Sequence, residues 1–240
     1  MPYTNSPMVS YTKLSPNHSG QRIHSIDRIT PHCVVGQCSV ETLGTVFLPK
    51  SRQASSNYGI GVDGRVGMYV EEKNRSWCSS SAANDQRAVT IECASDSKAP
   101  YAFKDVVYEK LIQLCVDICK RNGKSKLLWL GDKDKTLGYT PAPDEMVLTV
   151  HRWFANKSCP GDWMYARMGD LAEKVTAALG GQTQAPLDNA PAAWSKDAVN
   201  WALENRLLLG DANGDLKLRE NLTREQFCVM LKRYHDLFQK

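Results

Sequence analysis

The sequence lacks any run near the roughly 20 apolar residues that a membrane-spanning helix needs. Its first twenty residues, MPYTNSPMVSYTKLSPNHSG, have neither the charged start nor the apolar stretch of a secretion signal. The expectation from both absences is cytoplasmic synthesis without a signal peptide and without membrane insertion. An excess of one charge is also missing. The 30 Lys and Arg against 26 Asp and Glu leave +4, about +3 up to residue 192 and +1 beyond it, so no basic face points to nucleic acid. Eight cysteines in 240 residues are too few for a disulfide scaffold. In a reducing compartment some are small buried hydrophobes and one or more can ligate a metal. Histidine is scarcer still, with five in the chain.

What is present is globular. Hydrophobic residues make up 42% and charged residues 23%, which excludes a disordered or collagen-like chain. The clearest change of composition is GGQTQAPLDNAPAA, residues 180 to 193, almost free of large apolar groups. It divides the chain into a domain at 1–180, a linker at 181–193 and a small module at 194–240. The module is short for folding alone and needs a partner surface.

In the first part short β-rich runs alternate with helical stripes. Strands are expected at Ile29 to Val35, Tyr58 to Ile60, Val66 to Val70, Ala88 to Cys93, Lys126 to Leu130 and Val147 to His151. Lys104 to Arg121 puts Val107, Leu111, Leu114, Cys115 and Ile118 on one stripe, and Asp162 to Leu179 does the same with Met164, Met168, Leu171 and Val175. A shorter helix spans Val40 to Phe47, and Gly131 to Asp144, with two prolines, reads as a surface loop. The predicted class is α/β, a mixed central sheet flanked by helices, with a small helical C-terminal module.

Two of the histidines, His32 and His151, fall at the ends of predicted strands, where a sheet offers side chains to a cleft. Eight positions after His151, in HRWFANKSCPG, Pro160 and Gly161 force a turn that can bring the Cys159 thiol back to the imidazole. Two imidazoles and one thiolate suit zinc and leave its fourth tetrahedral position open, the stoichiometry of a catalytic site. Each signal alone is weak: a lone His is as often an ordinary half-buried residue, and a lone Cys more often an inert core thiol. Glu92, inside the apolar strand AVTIEC, needs a charge or proton as partner, and a water beside a metal supplies one. Lys157 stands two residues before Cys159. The polar stretch NRSWCSSSAAND, residues 74 to 85, suits either a substrate wall or an ordinary Ser-rich loop.

The series ITPHC, SSNYGIGVDGRV, NDQRAVTIE and HRWFANKSCPG resembles, in order, the type 2 N-acetylmuramoyl-L-alanine amidases, whose fold phage amidase lysozymes and peptidoglycan-recognition proteins share. The resemblance spans nearly all of residues 25 to 178. It implies that His32, His151 and Cys159 bind zinc, that Glu92 acts on the attacking water, and that Lys157 stabilises the developing oxyanion. It further implies bacterial peptidoglycan as substrate, cut between muramic acid and L-alanine. One departure concerns a tyrosine that some members use. Counting from Asp63-Gly64, Ser56 stands there, and Tyr58 takes the place of an aromatic that packs inward. Some extracellular members carry a disulfide near Cys33 and Cys38, but free thiols are expected here. Cys115 and Cys119, at i and i+4 on a helical stripe, are expected in the core.

In the module, a helix carrying Ala198, Trp201 and Ala202 precedes an extended Leu216 to Leu218 and a helix capped at Thr223, where Thr223 and Gln226 have capping-box spacing. Asp211, Asn213 and Asp215 imitate part of a calcium loop, but its glycine and distal glutamate are misplaced. Trp194, Gly210, Gly214, Thr223, Arg224 and Glu225 resemble one S-layer homology motif, a family that binds secondary cell-wall polymer, usually in three copies. The single copy leaves wall binding and homodimer formation both open. The expected whole is a phage or prophage endolysin that reaches the wall after holin-mediated release. Two alternatives are a non-hydrolytic peptidoglycan-binding protein of the same fold and a Cys/His peptidase using Cys159 or Cys33.

Overall fold

The computed structural model describes residues 3–180, 189–210, 214–220 and 222–237. The chain divides into two compact units, Met1–Gly181 and Gln182–Lys240. Most of the expected linker, residues 181–188, lies outside the described residues, as do Asp211 and Asn213. Among the described residues no helix is long and apolar enough to cross a membrane.

The large unit contains, in chain order, β1 (Val9–Thr12), β2 (His18–Gln21), β3 (Arg28–Cys33), α1 (Val40–Phe47), β4 (Tyr58–Ile60), β5 (Val66–Met68), β6 (Asn74–Ser76), α2 (Ala82–Arg87), β7 (Ala88–Cys93), α3 (Asp105–Arg121), β8 (Lys126–Leu128), α4 (Lys133–Gly138), β9 (Glu145–Leu148), α5 (Asp162–Tyr165) and α6 (Met168–Ala178). Seven strands form one sheet in the order β1-β5-β4-β7-β3-β9-β8, and β2 pairs with β6 separately. Only β4 and β5 run antiparallel within the large sheet, joined by the Asp63-Gly64 turn; the rest is parallel. This is the mixed, helix-flanked α/β sheet that the alternation of short apolar runs and helical stripes predicts.

Side chains alternate across a strand, and the two faces of β3 and β7 separate accordingly. Ile29 and Cys33 of β3, with Val89, Ile91 and Cys93 of β7, join Leu111, Leu114, Cys115 and Ile118 of α3 and Met168, Leu171 and Val175 of α6 in the main core. Cys115 and Cys119 are both buried, and all eight cysteines are free thiols. The opposite face carries Arg28, Thr30, His32, Thr90 and Glu92. A second, small core of Leu43, Phe47 and Tyr69 anchors α1 to the sheet.

Several expected elements differ. The helix over Asp162 to Leu179 is two helices, because the chain tightens at Arg167, whose N–H bonds to the Met164 carbonyl and whose guanidinium takes the Trp163 carbonyl at 3.0 Å. The loop at Gly131 to Asp144 contains α4, whose N-cap Asp132 accepts from the Lys135 N–H. The last strand ends at Leu148, so His151 lies beyond it, opening a single 3-10 turn. The strands β2 and β6 and the helix α2 fall in polar sequence with no apolar period to mark them, and β1 offers a single short alternation, Val9 and Tyr11.

In the small unit α7 (Lys196–Glu204) and α8 (Arg224–Leu237) are the helices. At the start of α8 the Gln226 N–H donates to Thr223 Oγ1 at 3.1 Å and the Thr223 N–H to Gln226 Oε1 at 2.8 Å, the reciprocal pair of a capping box. Leu216 to Leu218, expected to be extended, forms no strand. Asp215 caps the Lys217 N–H at 3.1 Å, and Lys217 turns with φ +51°. Asn189, read as linker, bonds to the Gly214 carbonyl and the Leu216 N–H. Gly210 lies so close to Gly214 that a Cβ would meet its backbone at 2.7 Å.

Candidate active site

Parallel pairing of β3 with β7 aligns His32 with Glu92, and pairing of β7 with β4 aligns Glu92 with Gly59. Partners in register point to one face, so the imidazole and the carboxylate stand side by side at the centre of the sheet. His32 is fully buried, and burial, then the charge of His151, push its pKa well below the ordinary imidazole value. Burial pushes the Glu92 carboxyl up to about 7. Its Oε2 has no hydrogen-bond partner, whereas Oε1 accepts a weak thiol bond from Cys78 at 3.8 Å.

Cys78 belongs to the stretch 74 to 85 that suits either a substrate wall or an ordinary Ser-rich loop, and α2 holds it at the site. The Asp85 carboxylate accepts from the Cys78 N–H at 3.1 Å and the Ser79 N–H at 3.2 Å, while Ser81 caps α2 at the Asn84 N–H. Asn84 donates to Thr30 Oγ1 at 3.0 Å and accepts from Thr149 Oγ1 at 3.0 Å, tying α2 to β3 and to the end of β9. The Asn-Asp pair is therefore a clamp between loop and sheet. It brings Ser80 to His151, where Ser80 Oγ and His151 Nε2 share a 3.0 Å hydrogen bond. The signal in the sequence is the cysteine seven residues before Asp85, inside the stretch read as a substrate wall.

His151 reaches the same place from the other side. Its ring meets that of His32 edge-on with centroids 5.1 Å apart. The Arg152 N–H then bonds to the Cys159 carbonyl at 3.1 Å, closing the return that Pro160 and Gly161 make. A side chain at Gly161, φ +84°, would meet Tyr101 Cβ at 2.8 Å and the Pro100 carbonyl at 2.9 Å, so only glycine fits there. The closed turn sets Cys159 Sγ 3.2 Å from His32 Nδ1. Lys157 is exposed on this turn, and its charge, after burial, lowers the His151 pKa.

The donor atoms of His32, His151 and Cys159 all lie within 4.8 Å of one another, as do those of His32, Cys78 and Glu92. The first set fits a divalent cation. Both imidazoles are held neutral, so each has a nitrogen lone pair to offer, and the His32 nitrogen that faces Cys159 is Nδ1. Burial, then the neighbouring Cys33, raises the Cys159 pKa, so this thiol gives up its proton only to a strong positive charge. Ser56 and Tyr58 belong to neither donor set. Tyr58 is buried with its hydroxyl on Glu72 Oε1 at 2.7 Å, and Ser56 bonds to the Tyr58 carbonyl.

Residues 19–162 match the family described as N-acetylmuramoyl-L-alanine amidase. The chain belongs to that family. The amidase matches no curated protein in sequence. Solved structures to which it is similar include a selenomethionine derivative of AmpD (16% identity, 72% of this chain and 99% of AmpD, TM-score 0.49). Another is the N-acetylmuramoyl-L-alanine amidase LysC from Clostridium intestinale (16%, 72% and 96%, TM-score 0.45). A third is the endolysin of bacteriophage Ph2119 from Thermus scotoductus (17%, 64% and 90%, TM-score 0.41). The family assigns the activity: this amidase is an enzyme that acts on peptidoglycan. The loop at 77–81, the clamp of Asn84 and Asp85, and the return at Cys159 all fall inside the matched residues.

Proposed function

We propose that this is a zinc-dependent amidase, with His32, His151 and Cys159 as the metal ligands and Glu92 and Lys157 as catalytic residues. The observation that carries the reading is the convergence of three neutral donor groups beside a buried carboxylate with a free oxygen. Zinc held there would supply Lewis acidity to the amide carbonyl and to water. Glu92 takes a proton from the attacking water on its unpartnered oxygen and returns it to the leaving L-alanine nitrogen. A carboxyl near 7 suits both transfers, because a base works best when its pKa lies close to the operating pH. Lys157 offers a positive charge to the oxyanion that develops on the carbonyl, an effect worth about 3 kcal/mol of barrier. Ser80 orients the His151 ring through Nε2.

The same reading extends to setting. In an endolysin released through a holin, the large unit would cut the wall and the small unit would hold the chain to it. The small unit shows apolar side chains to solvent, Trp194 at 90% exposure and Phe227 at 52%, which favours a partner surface for it. The partner is secondary cell-wall polymer in the S-layer-homology reading, or a second copy of the chain.

Metal analysis together with mass spectrometry of digested peptidoglycan tests the enzyme. The expected result is about one zinc per chain and free L-alanine amino termini, with zinc and cleavage lost together in Cys159→Ser and His151→Ala. Full cleavage after chelation and metal-free dialysis would remove the zinc reading. Truncation after residue 180 is expected to leave cleavage of soluble muropeptides intact and to lower sedimentation with whole walls; unchanged sedimentation would remove the wall-targeting role. Light scattering of the full chain distinguishes dimer from monomer.

A further inference from the structure

Beside His151 lies a cavity of about 560 Å³ that the proposed chemistry does not use. Ser80, which bonds to His151, forms one part of its wall, and Trp153 and Phe154, which follow His151 in the turn, form another. Three cations, Arg28, Arg87 and Lys133, share the remaining wall with Ser81, Ala83 and Leu137. No acidic side chain lines it. Arg87 is already satisfied, since its guanidinium grips both oxygens of Asp27, Nε at 2.8 and 3.1 Å and Nη2 in a closer contact.

Arg28 is different. Its residue is only 5% exposed, yet among the described residues it has no ion pair, and the hydrogen bond recorded for its guanidinium is a 3.3 Å contact to Asn84 Oδ1. Asp27, its neighbour in sequence, is committed to Arg87. A guanidinium has five donors, and the one carboxylate whose charge acts on Arg28 is Asp27, which Arg87 already holds, so two guanidinium groups share a single anion. Arg28 shares its face of β3 with Thr30 and His32, so this under-compensated charge stands on the same sheet face as the candidate site. Exposed Lys133 on α4 adds a second unneutralised cation from across the cavity.

We propose that this cavity is a carboxylate-binding subsite, in which Arg28 and Lys133 hold a free carboxylate of the peptide attached through the scissile amide, with Trp153 and Phe154 against its apolar part. The inference rests on the amidase reading for the identity of the ligand, and it makes acidic peptide stems the preferred substrate class. A planar guanidinium accepts a carboxylate through paired N–H bonds. The neutral amide of the same peptide carries one acceptor in place of two and no charge, and leaves Arg28 unpaired.

Calorimetry on the full chain tests this without requiring turnover. The probes are L-alanyl-γ-D-glutamyl-L-lysine and its isoglutaminyl counterpart, both amidated at the C-terminus so that they differ at one carboxylate. The acid is expected to bind about tenfold more tightly than the amide, the scale of a hydrogen-bonded charge. Lys133→Gln, at an exposed position, should narrow that preference severalfold, and Arg28→Gln, checked for folding by circular dichroism, should abolish it. Equal binding of the two peptides by the unsubstituted protein would overturn the proposal. A protein that discriminates the peptides but does not cut walls would retain the subsite and lose the amidase reading; one that cuts walls and does not discriminate would do the reverse.

Discussion

The two faces of β3 and β7 are made from alternate residues of the same twelve positions, yet they obey different rules. One face presents Ile29, Cys33, Val89, Ile91 and Cys93 to α3 and α6 and is closed by apolar contact. The other presents Arg28, Thr30, His32, Thr90 and Glu92 to a polar clamp, with orphaned atoms at His32 Nε2 and Glu92 Oε2. Burial is similar on both, so the difference lies in whether each buried group finds its partner inside the chain. Apolar groups are satisfied by packing alone. Buried polar atoms left without partners are costly, and their persistence marks the face that meets something from outside.

Substitutions should separate the faces. The largest effect is expected for Glu92→Gln, a fall in turnover of roughly two to four orders of magnitude with metal content and fold retained. Steady-state rates on soluble muropeptides, with metal analysis, check it, and wild-type turnover would place the base elsewhere. The same variant reports on stability. Burial raises the folded Glu92 carboxyl from 4.5 to about 7. Between these values the folded chain keeps a proton that the unfolded chain has released, so metal-free wild type loses stability as pH rises across that window. Glu92→Gln should not show the loss in melts recorded from pH 4.5 to 7.

Leu114→Ala acts on the other face. Leu114 is fully buried between α3 and the sheet, and its truncation should cost about 2–5 kcal/mol in denaturant unfolding while turnover per folded molecule stays at the wild-type level. A matching loss of intrinsic turnover would show that the faces are not independent. Asn84→Ala should lie between the two, costing about 1–3 kcal/mol by stripping partners from Thr30 and Thr149. It should also slow turnover, since the 77–81 loop loses its clamp. The smallest effect is expected for Cys78→Ala, less than about tenfold in rate, because a thiol is a weak donor at 3.8 Å. A larger loss would make Cys78 a working part of the site.

The helices α1 and α3 were legible because an apolar stripe repeats with the helical period, and β4 and β7 because their short apolar runs are bounded by turn residues. The break at Arg167 was not, since it depends on a side chain taking a carbonyl four residues back. The strands β1, β2 and β6 lie at edges or in a separate ribbon, where little is buried and no period is required. Cys78 and Ser80 escaped for a related reason: their place is fixed by Asp85 and His151, partners that only the folded chain brings within reach.

The sequence by itself determined the alternation that builds the two-faced sheet, the glycine at 161 that permits the return of Cys159, and the kinds of donor available for a metal. Those properties reside in single residues and their spacing. The tertiary structure decided the register that sets His32 beside Glu92, the clamp through Asn84 and Asp85, and the cavity in which Arg28 has only a carboxylate shared with Arg87. Each of these depends on pairs far apart in the chain, joined by strand pairing and by the need of buried polar groups to find partners, and no local pattern records such distances.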